Sequence, residues 1–301
     1  MNYFKILSTR SLFLLTLLCL TVLVAFSEKV FAQTTNRYEL SYQTIGQTND
    51  VTTSSINGQA AHQIFLDEEG SSLLTVAVNF SDTSLKDDEL SGEDKTRSLK
   101  TFIPNLSLMK ILDDEYSLIV YLRPGLYGDL EGDLGNDFRL EGGAVVTKYM
   151  SDQLTMGLGV GRGSNLGRDM VVPLLQFVYF ANSKVIARGV LPVRASVWYI
   201  PDQKWEFGAL FRLEGALYNI EESDIADVEQ LGFAAATIGG GARYNLGSNN
   251  FLSMEAGITA MRRYEFNDER EILVMRLDYD PFEDKELDRA PYLRLGWIQK
   301  F

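Results

Sequence analysis

The chain has 301 residues, a formal net charge of −13, and 46% hydrophobic residues. This acidic balance disfavours nucleic acid as a partner, because phosphate binding requires a basic surface. The single cysteine, Cys19, lies in a segment that we expect to be removed, so no disulfide framework is predicted.

Residues 1–32 are predicted to be an export signal. A basic start with Lys5 and Arg10 precedes an almost unbroken apolar run, and Ala32 ends a stretch typical of cleavage sites. An anchoring helix is the alternative, since the run approaches spanning length. Cleavage after Ala32 leaves residues 33–301 as a single domain with a formal charge of −15. No second apolar run is long enough for a helical membrane protein.

The rest of the chain consists of segments in which apolar residues recur at every second position, the period of a strand with two unlike faces. Polar, turn-sized stretches separate these segments, and none has a helical period. The sequence therefore predicts an all-β, antiparallel chain of about twelve strands, with ten to fourteen compatible. The predicted strands are Arg37–Ile45, Ser72–Ser81, Thr101–Leu112, Tyr116–Tyr127, Phe138–Met150, Leu154–Arg162, Met170–Phe180, Val185–Tyr199, Trp205–Tyr218, Leu231–Leu246, Phe251–Tyr264 and Ala290–Phe301.

The predicted turns conflict in one respect. If both termini are periplasmic, short turns belong at every second connection. Those at Pro201–Lys204 and Gly247–Asn250 fit, whereas those at Asp113–Glu115 and Ser151–Gln153 fall in the opposite phase. We therefore expect either a misassigned strand between Arg162 and Val190 or some unusually short outer loops.

Two architectures accommodate such strands, a soluble sandwich and a transmembrane barrel. The polar faces favour the barrel, because they carry glycines and isolated Arg and Glu residues instead of typical solvent-facing side chains. Aromatic residues near strand ends resemble the girdles at membrane interfaces. We predict a closed antiparallel transmembrane β-barrel in the outer membrane, without a helical domain. The girdle residues would be Tyr116, Tyr149, Trp198, Tyr199, Trp205, Phe251 and Tyr264.

The last eight residues resemble the signal by which bacterial outer-membrane barrels are recognised for assembly. Arg294, Gly296 and Phe301 match that signal, whereas Gln299 stands where an apolar residue is usual. The resemblance implies contact with the barrel-assembly machinery, periplasmic termini, and surroundings of outer-membrane lipid and lipopolysaccharide.

The stretch from Arg188 to Ile220 resembles an uncharacterised family of bacterial outer-membrane barrels. The resemblance implies fold and location and brings no activity. Its matching positions are Leu191-Pro192, Trp198-Tyr199, Pro201, Trp205 and Tyr218.

Charged residues on the predicted strands are expected to line the lumen, because a charge facing lipid costs about 2–4 kcal/mol near the midplane. They either form paired filling that stiffens a narrow barrel or line a channel that selects solutes. Both signs are present, so strong anion selectivity is not predicted. These candidates are Arg123, Arg139, Glu141, Arg188, Arg194, Glu206, Arg212, Glu214, Glu255 and Arg294.

Three motifs that could carry chemistry are given structural interpretations. His62, the only histidine, is predicted in an exposed connection, although a catalytic pairing with Asp67 or Glu68 is conceivable. The glycines from Gly157 to Gly163 repeat at every second position without nucleotide-loop spacing, which indicates a closely packed strand face.

The third motif is the acidic stretch that begins at Asp129 and continues with Glu131 and Asp133. Its carboxylates alternate as in a calcium loop, but Leu134 and Leu140 replace the expected glycine and chelating glutamate. Weak bridging of divalent ions to lipopolysaccharide and a solvated loop remain open. No catalytic residue, metal site or cofactor is predicted.

Taken together, the sequence predicts a non-enzymatic barrel, either a passive channel for small hydrophilic solutes or a structural envelope barrel. The alternative is a barrel whose acidic surface loops dock a partner. A lipid-modifying enzyme, which would need His62, is a remote alternative.

Overall fold

The computed structural model describes residues 36–48, 51–87, 96–130, 134–164, 167–220, 230–267, 273–274 and 287–300. The predicted signal segment, Phe301 of the assembly signal, and Glu131 and Asp133 of the acidic stretch lie outside these ranges. In the described ranges, no helix has the length and apolar character needed to cross a bilayer.

Within these ranges the secondary structure is almost entirely strand, with one four-residue helix, α1 (Leu134–Asp137). The strands are β1 (Arg37–Thr48), β2 (Val51–Phe65), β3 (Ser72–Asp87), β4 (Thr96–Ile111), β5 (Tyr116–Gly128), β6 (Phe138–Ser151), β7 (Leu154–Gly163), β8 (Met170–Asn182), β9 (Val185–Leu191), β10 (Arg194–Tyr199), β11 (Trp205–Asn219), β12 (Gln230–Gly247), β13 (Asn250–Asn267), β14 (Leu273–Val274) and β15 (Pro291–Lys300).

Fourteen of the described strands form a closed antiparallel barrel. Neighbours in the chain pair with one another from β1 to β13, and β15 pairs with both β13 and β1. The first and last strands meet with Arg37 opposite Lys300, so the barrel has no free edge. The two-residue β14 pairs in parallel with β8. The predicted closed barrel is confirmed, with a strand count at the upper end of the predicted range.

Two features account for the strands missed in the sequence. β2 is rich in Ser, Thr and Gln and lacks clear apolar alternation. The segment predicted as one strand, Val185–Tyr199, is two short strands joined at Pro192 and Val193. Proline has no N–H to donate to a ladder, which makes Pro192 a signal for the break.

The additional strands resolve the phase conflict. With β2 and the break between β9 and β10 in place, the turns near Asp113 and Asp152 lie at the same barrel end as the termini. The misassignment expected between Arg162 and Val190 was therefore wrong, since the errors lie at Val51–Phe65 and at Pro192. The strand ends that flank the acidic segments 88–95, 129–137, 220–229 and 268–290 lie at the opposite end.

The outside of the barrel is a continuous apolar belt. Alternation is clear at β10, where Val197 and Tyr199 are each 48% exposed and Trp198 between them is 2% exposed. Such a surface is solvated by lipid, so the chain is a membrane-spanning barrel of the outer-membrane type. Belt residues include Leu40, Tyr42, Leu106, Leu108, Val120, Leu122, Val146, Leu158, Val160, Phe207, Ile238, Leu252, Met254, Leu293 and Leu295.

The predicted aromatic girdle is partly wrong. Tyr149, Tyr199 and Trp205 are exposed next to turns at the terminus end, as an interfacial girdle requires. Trp198, Phe251 and Tyr264 are buried instead. Trp198 could not share the girdle with Tyr199, because neighbouring residues in a strand point to opposite faces.

The outer parts of β11 and β12 fold across the lumen. We call residues 213–219 and 230–237 the plug hairpin; from Leu217 to Asn219 and along residues 230–237, both faces are buried. Asn219 pairs with Gly128 of β5, although β5 lies six strand positions away around the ring. The plug hairpin therefore spans the mouth at the loop end of the barrel.

An apolar cluster holds the plug hairpin in place. Tyr218, Leu231 and Phe233 pack with residues of the opposite wall, and Leu231 has no exposed surface. Such a cluster excludes water, and burying each large side chain stabilises the closed arrangement by about 1.5–3 kcal/mol. The residues from the wall are Ile45, Val51, Leu85, Leu99, Ile103 and Tyr127.

Two glycines show how closely the backbones pack. A Cβ on Gly232 of the plug hairpin would lie 2.2 Å from the carbonyl oxygen of Gly167, in the connection after β7. A Cβ on Gly159 would lie 2.1 Å from the carbonyl oxygen of Ala144. The close packing predicted for the glycine series of β7 is thus confirmed.

Candidate functional site

The lumen between the plug hairpin and the terminus end holds a cavity of about 840 Å³. Its boundary toward the loop end includes Tyr127, Tyr218 and Phe233 of the apolar cluster. The rest of its lining mixes apolar residues such as Leu174, Phe177 and Phe211 with polar and charged ones, and the polar residues differ between the two sides of the barrel.

One wall of the cavity is neutral and polar. It is built by β2, β3 and β4, whose inward positions carry hydroxyl and amide side chains because the outward positions of the same strands face lipid. Hydroxyls and amides both donate and accept hydrogen bonds. These residues are Thr53, Ser55, Asn57, Gln59, Asn79, Ser81, Thr83, Thr101, Asn105 and Ser107.

The facing wall is charged. β9, β10 and β11 lie seven positions from β2, β3 and β4 in the fourteen-strand ring, which is diametrically opposite. Together with β1, β5, β12 and β15, these strands bring seven arginines and two glutamates to the cavity. They are Arg37, Glu39, Arg123, Arg188, Arg194, Arg212, Glu214, Arg243 and Arg294.

Most of these arginines are neutralised by carboxylates. The Arg212 guanidinium donates from Nη2 to Glu255 Oε1 at 2.7 Å, and its Nη1 forms an ion pair with Oε2 at 2.6 Å. Arg294 Nη1 lies 2.9 Å from Glu214 Oε1, and that residue's other oxygen accepts from Gln43 Nε2 at 2.9 Å. These contacts fix the side chains against one wall of the cavity.

Further pairs are found along the lumen. Arg123 Nη1 lies 3.3 Å from Glu141 Oε2, and the other oxygen of Glu141 accepts the backbone N–H and the hydroxyl of Ser164. Arg37 Nη2 lies 2.5 Å from Glu39 Oε2. Glu141 and Glu214 thereby join different strands of the barrel, whereas Arg37 and Glu39 both lie on β1.

Arg243 and Trp198 form a stacked pair inside the lumen. The guanidinium carbon of Arg243 lies 3.8 Å from the centre of the Trp198 ring, and Arg243 Nη1 donates to Glu206 Oε2 at 3.1 Å. Stacking of this kind adds cation–π attraction to the ion pair. The charge of Arg243 is therefore held at the wall by two partners.

Arg188 and Arg194 differ from the other cavity arginines. Both line the cavity with exposed side chains, and neither makes an ion pair or a side-chain hydrogen bond with any residue that the structure describes. Counting Glu141, Glu206 and Glu255, five carboxylates accompany seven arginines, a surplus of two arginines, and Lys300 shares Glu206 with Arg243.

The structure brings most of the predicted lumen residues together. Six of them line the cavity, and Glu141, Glu206 and Glu255 pair with its arginines. Arg139 lies on β6 between the exposed Phe138 and Leu140, and thus on the inward face. Their suggested role in selecting solutes remains a prediction. The six are Arg123, Arg188, Arg194, Arg212, Glu214 and Arg294.

Several lining residues were missed. Arg243 was recognisable, since it alternates with Ala242 and Tyr244 in a strand, and Arg37 and Glu39 alternate with Tyr38 and Leu40 in the same way. The neutral wall was missed because part of it belongs to β2, whose polar composition resembled a loop.

The interpretation of His62 as an exposed loop residue was wrong. His62 lies in β2, is 7% exposed, and its Nδ1 is hydrogen-bonded to Asn36 Oδ1. It shares the outward face with Ile56, so it does not point into the cavity. In the described ranges, no group of three or more His, Cys, Asp and Glu side chains is arranged to hold a metal ion.

The turns at the terminus end are organised by carboxylates. Asp202 Oδ1 accepts the backbone N–H groups of Lys204 and Trp205 at 2.7 and 2.9 Å, and these bonds lower the pKa of Asp202 below its ordinary value of 3.8. Hydrogen bonds to a carboxylate favour its charged form. The bonds fix the connection between β10 and β11, the two strands that carry Arg194 and Arg212.

The chain matches one family model, described as a domain of unknown function (DUF6268), over residues 34–297. The chain belongs to this family. This membership agrees with the resemblance to an uncharacterised family of outer-membrane barrels that was predicted from the sequence. Among curated protein sequences, none matches the chain.

Solved structures with a similar fold are distant in sequence. The COG4313 outer membrane channel from Pseudomonas putida F1 is 10% identical, with 89% of this chain and 95% of that chain covered and a TM-score of 0.43. The translocator domain of the autotransporter NalP from Neisseria meningitidis is 9% identical, with 97% and 98% covered and a TM-score of 0.44. The toluene transporter TodX from Pseudomonas putida is 8% identical, with 88% and 89% covered and a TM-score of 0.45.

Proposed function

We propose that the chain is an outer-membrane channel for small hydrophilic solutes, which the plug hairpin closes at the loop end. The observation that supports this proposal best is the cavity of about 840 Å³ inside a closed membrane barrel, whose lining includes charged, hydroxyl and amide side chains. A barrel with a purely structural role needs no such space, because side chains can fill a narrow lumen completely.

The location belongs to the same proposal. The apolar belt requires a membrane, and an antiparallel barrel of this kind is typical of the bacterial outer membrane. We further propose that residues 1–32 are removed after Ala32, that Arg294, Gly296 and Phe301 engage the assembly machinery, and that lipopolysaccharide surrounds the loop end. Mass spectrometry of the protein purified from outer membranes tests the cleavage, because the expected N-terminus is Gln33.

A structural envelope barrel is the second candidate. The apolar cluster around Leu231 and Phe233 favours it, since a mouth sealed by buried side chains blocks hydrophilic solutes. The two candidates differ in whether the plug hairpin opens. Docking by the acidic loops and lipid modification have no comparable support, and we propose that the protein is not an enzyme.

Single-channel recording in a planar bilayer distinguishes the two candidates. Refolded protein of residues 33–301 should show reproducible conductance steps and long closed intervals, because the plug hairpin must move before ions pass. Protease protection of the barrel in lipid vesicles, prepared from the same refolded protein, confirms insertion. If inserted protein stays silent over the accessible range of voltage and salt, the channel proposal fails and the structural role replaces it.

A further inference from the structure

The hairpin formed by β9 and β10 carries two arginines on the face that lines the cavity. In its register Arg194 lies opposite Val190, and Arg188 lies opposite Ser196. Arg188 and Arg194 are therefore diagonal neighbours, a relation that places Cβ atoms about 7–8 Å apart. Side chains as long as arginine can converge on one group from that spacing.

The charges around this pair are unbalanced. The charged groups that act most strongly on Arg194 are Arg37, Arg188, Arg212 and Arg123, all of them cations, whereas Arg188 is acted on by Arg37 and, with the opposite sign, by Glu206. Arg37 and Arg212 have carboxylate partners of their own, whereas no described residue forms an ion pair or side-chain hydrogen bond with Arg188 or Arg194. The pair thus accounts for the surplus of two arginines in the cavity.

The opposite side of the cavity offers no carboxylate to neutralise them. β2, β3 and β4 present only hydroxyl and amide groups to the cavity among their polar side chains. Arginine binds carboxylate and phosphate groups in a bidentate manner, and hydroxyls and amides bind the uncharged polar groups of a solute. This arrangement suits a solute with an oxyanion at one end and hydroxyl groups at the other.

We propose that Arg188 and Arg194 form an oxyanion-binding site for small soluble molecules that carry a carboxylate or phosphate group. The site deepens the proposed function, since it names the class of solute that the channel would hold. A lipid headgroup offers the same phosphate chemistry, but both arginines face the lumen, away from the apolar belt. A soluble oxyanion is therefore the occupant.

Equilibrium binding tests the site without requiring conduction. Calorimetry with inorganic phosphate, D-gluconate and neutral D-glucose is performed on refolded protein in an uncharged detergent. We expect phosphate and gluconate to bind and glucose to bind far more weakly. Replacing one arginine, R188Q or R194Q, should weaken anion binding about tenfold, because a hydrogen bond to a charged group is lost. R194K should retain part of the affinity.

The matched control is K184Q, which removes one positive charge from the turn at the other end of the same hairpin. Lys184 is exposed and does not line the cavity. Thermal unfolding followed by circular dichroism establishes that each variant is folded. Equal phosphate affinity of folded wild type, R188Q and the R188Q/R194Q double variant would overturn the proposal. So would an equal loss of affinity in K184Q.

A second arm distinguishes a soluble oxyanion from a lipid headgroup. Binding is repeated in nanodiscs of zwitterionic lipid and in nanodiscs that contain phosphatidylglycerol. Unchanged phosphate affinity supports the soluble occupant, whereas competition by the anionic lipid that R188Q/R194Q abolishes would refute it. Conduction and binding, measured separately, distinguish the two proposals. Arginine-dependent binding by a protein that does not conduct refutes only the channel. Conduction without any effect of R188Q/R194Q on binding refutes only the site.

Discussion

Closure of the lumen depends on a glycine that allows the plug hairpin to dock. A Cβ on Gly232 would lie 2.2 Å from the Gly167 carbonyl oxygen and 3.1 Å from its carbonyl carbon. To reach ordinary contact, which begins at 3.4 Å, the two backbones would have to separate by about 1.2 Å. Neither neighbour is a flexible side chain, so G232A must displace the plug hairpin or the connection after β7.

The magnitude follows from the cost of overpacking. An extra methyl group in a well-packed region costs about 1–3 kcal/mol. If this strain acts on the closed arrangement alone, the ratio of closed to open protein falls by about 5–150-fold. G232A should therefore show a much higher open probability in planar bilayers, with the single-channel conductance of the open state unchanged.

Gly240 provides the matched control in the same strand. A Cβ on Gly240 would have the Gly208 carbonyl oxygen at 3.8 Å as its nearest neighbour, so G240A fits without strain. G240A should behave like the wild type. If G232A gates like the wild type while circular dichroism shows both variants folded, or if G240A opens as often as G232A, the assignment of closure to the plug hairpin is refuted.

Three further predictions concern charge. Because the pKa of Asp202 is depressed, its charged form stabilises the folded state above the ordinary carboxyl pKa, and this stabilisation disappears as the pH falls through the lowered value. The difference in urea midpoint between wild type and D202A should therefore shrink below about pH 4. D202N should keep part of the turn at every pH. In a double-mutant cycle, E255M should lower the free energy of unfolding by about 1–3 kcal/mol, because it leaves the half-buried Arg212 with only the more distant Glu214 as a carboxylate partner. R212M/E255M should cost less than the sum of R212M and E255M, and additive effects would contradict the pairing. The connections at the loop end carry 24 acidic and 6 basic residues, so entry of phosphate from that side should accelerate with salt more than entry from the terminus side. Flux measurements on oriented vesicles at 0.01 M and 1 M salt check this, since the Debye length falls from about 30 to about 3 Å. Equal salt dependence from both sides would show that the loops do not act on the path.

The sequence predicts the fold well because lipid imposes a strict rule on one face of every strand. The alternation of Leu252 and Met254 with Ser253 and Glu255 could be read directly, and so could the inward position of Arg212. The rule fails where a strand has no strong apolar face, as in β2, or where a proline divides a continuous pattern, as at Pro192. It also fails for the central part of the plug hairpin, where residues 231–236 are apolar or glycine on both faces.

The site was harder to predict than the fold, since it depends on pairing across strands that are distant in sequence. Arg294 meets Glu214 at a separation of 80 residues, and Arg212 meets Glu255 at a separation of 43. Alternation places all these side chains in the lumen but cannot show which charges cancel. Which arginines lack a carboxylate partner becomes visible only once the pairs are known, and the expectation that the lumen is not strongly anion-selective remains a prediction.

The short hairpin of β9 and β10 connects the two functional features of the barrel. These strands end at Leu191 and begin again at Arg194, so among the described residues β11 has no strand partner on that side between Leu213 and Tyr218, apart from one hydrogen bond to Val193, until Asn219 pairs with Gly128. Freed from the wall there, β11 can turn inward, and Leu213 packs against Met170 across the gap. The same early turn places Arg194 directly beneath the inward bend. An anion held by Arg188 and Arg194 would therefore lie next to the plug hairpin, where its charge and volume act on the element that closes the lumen.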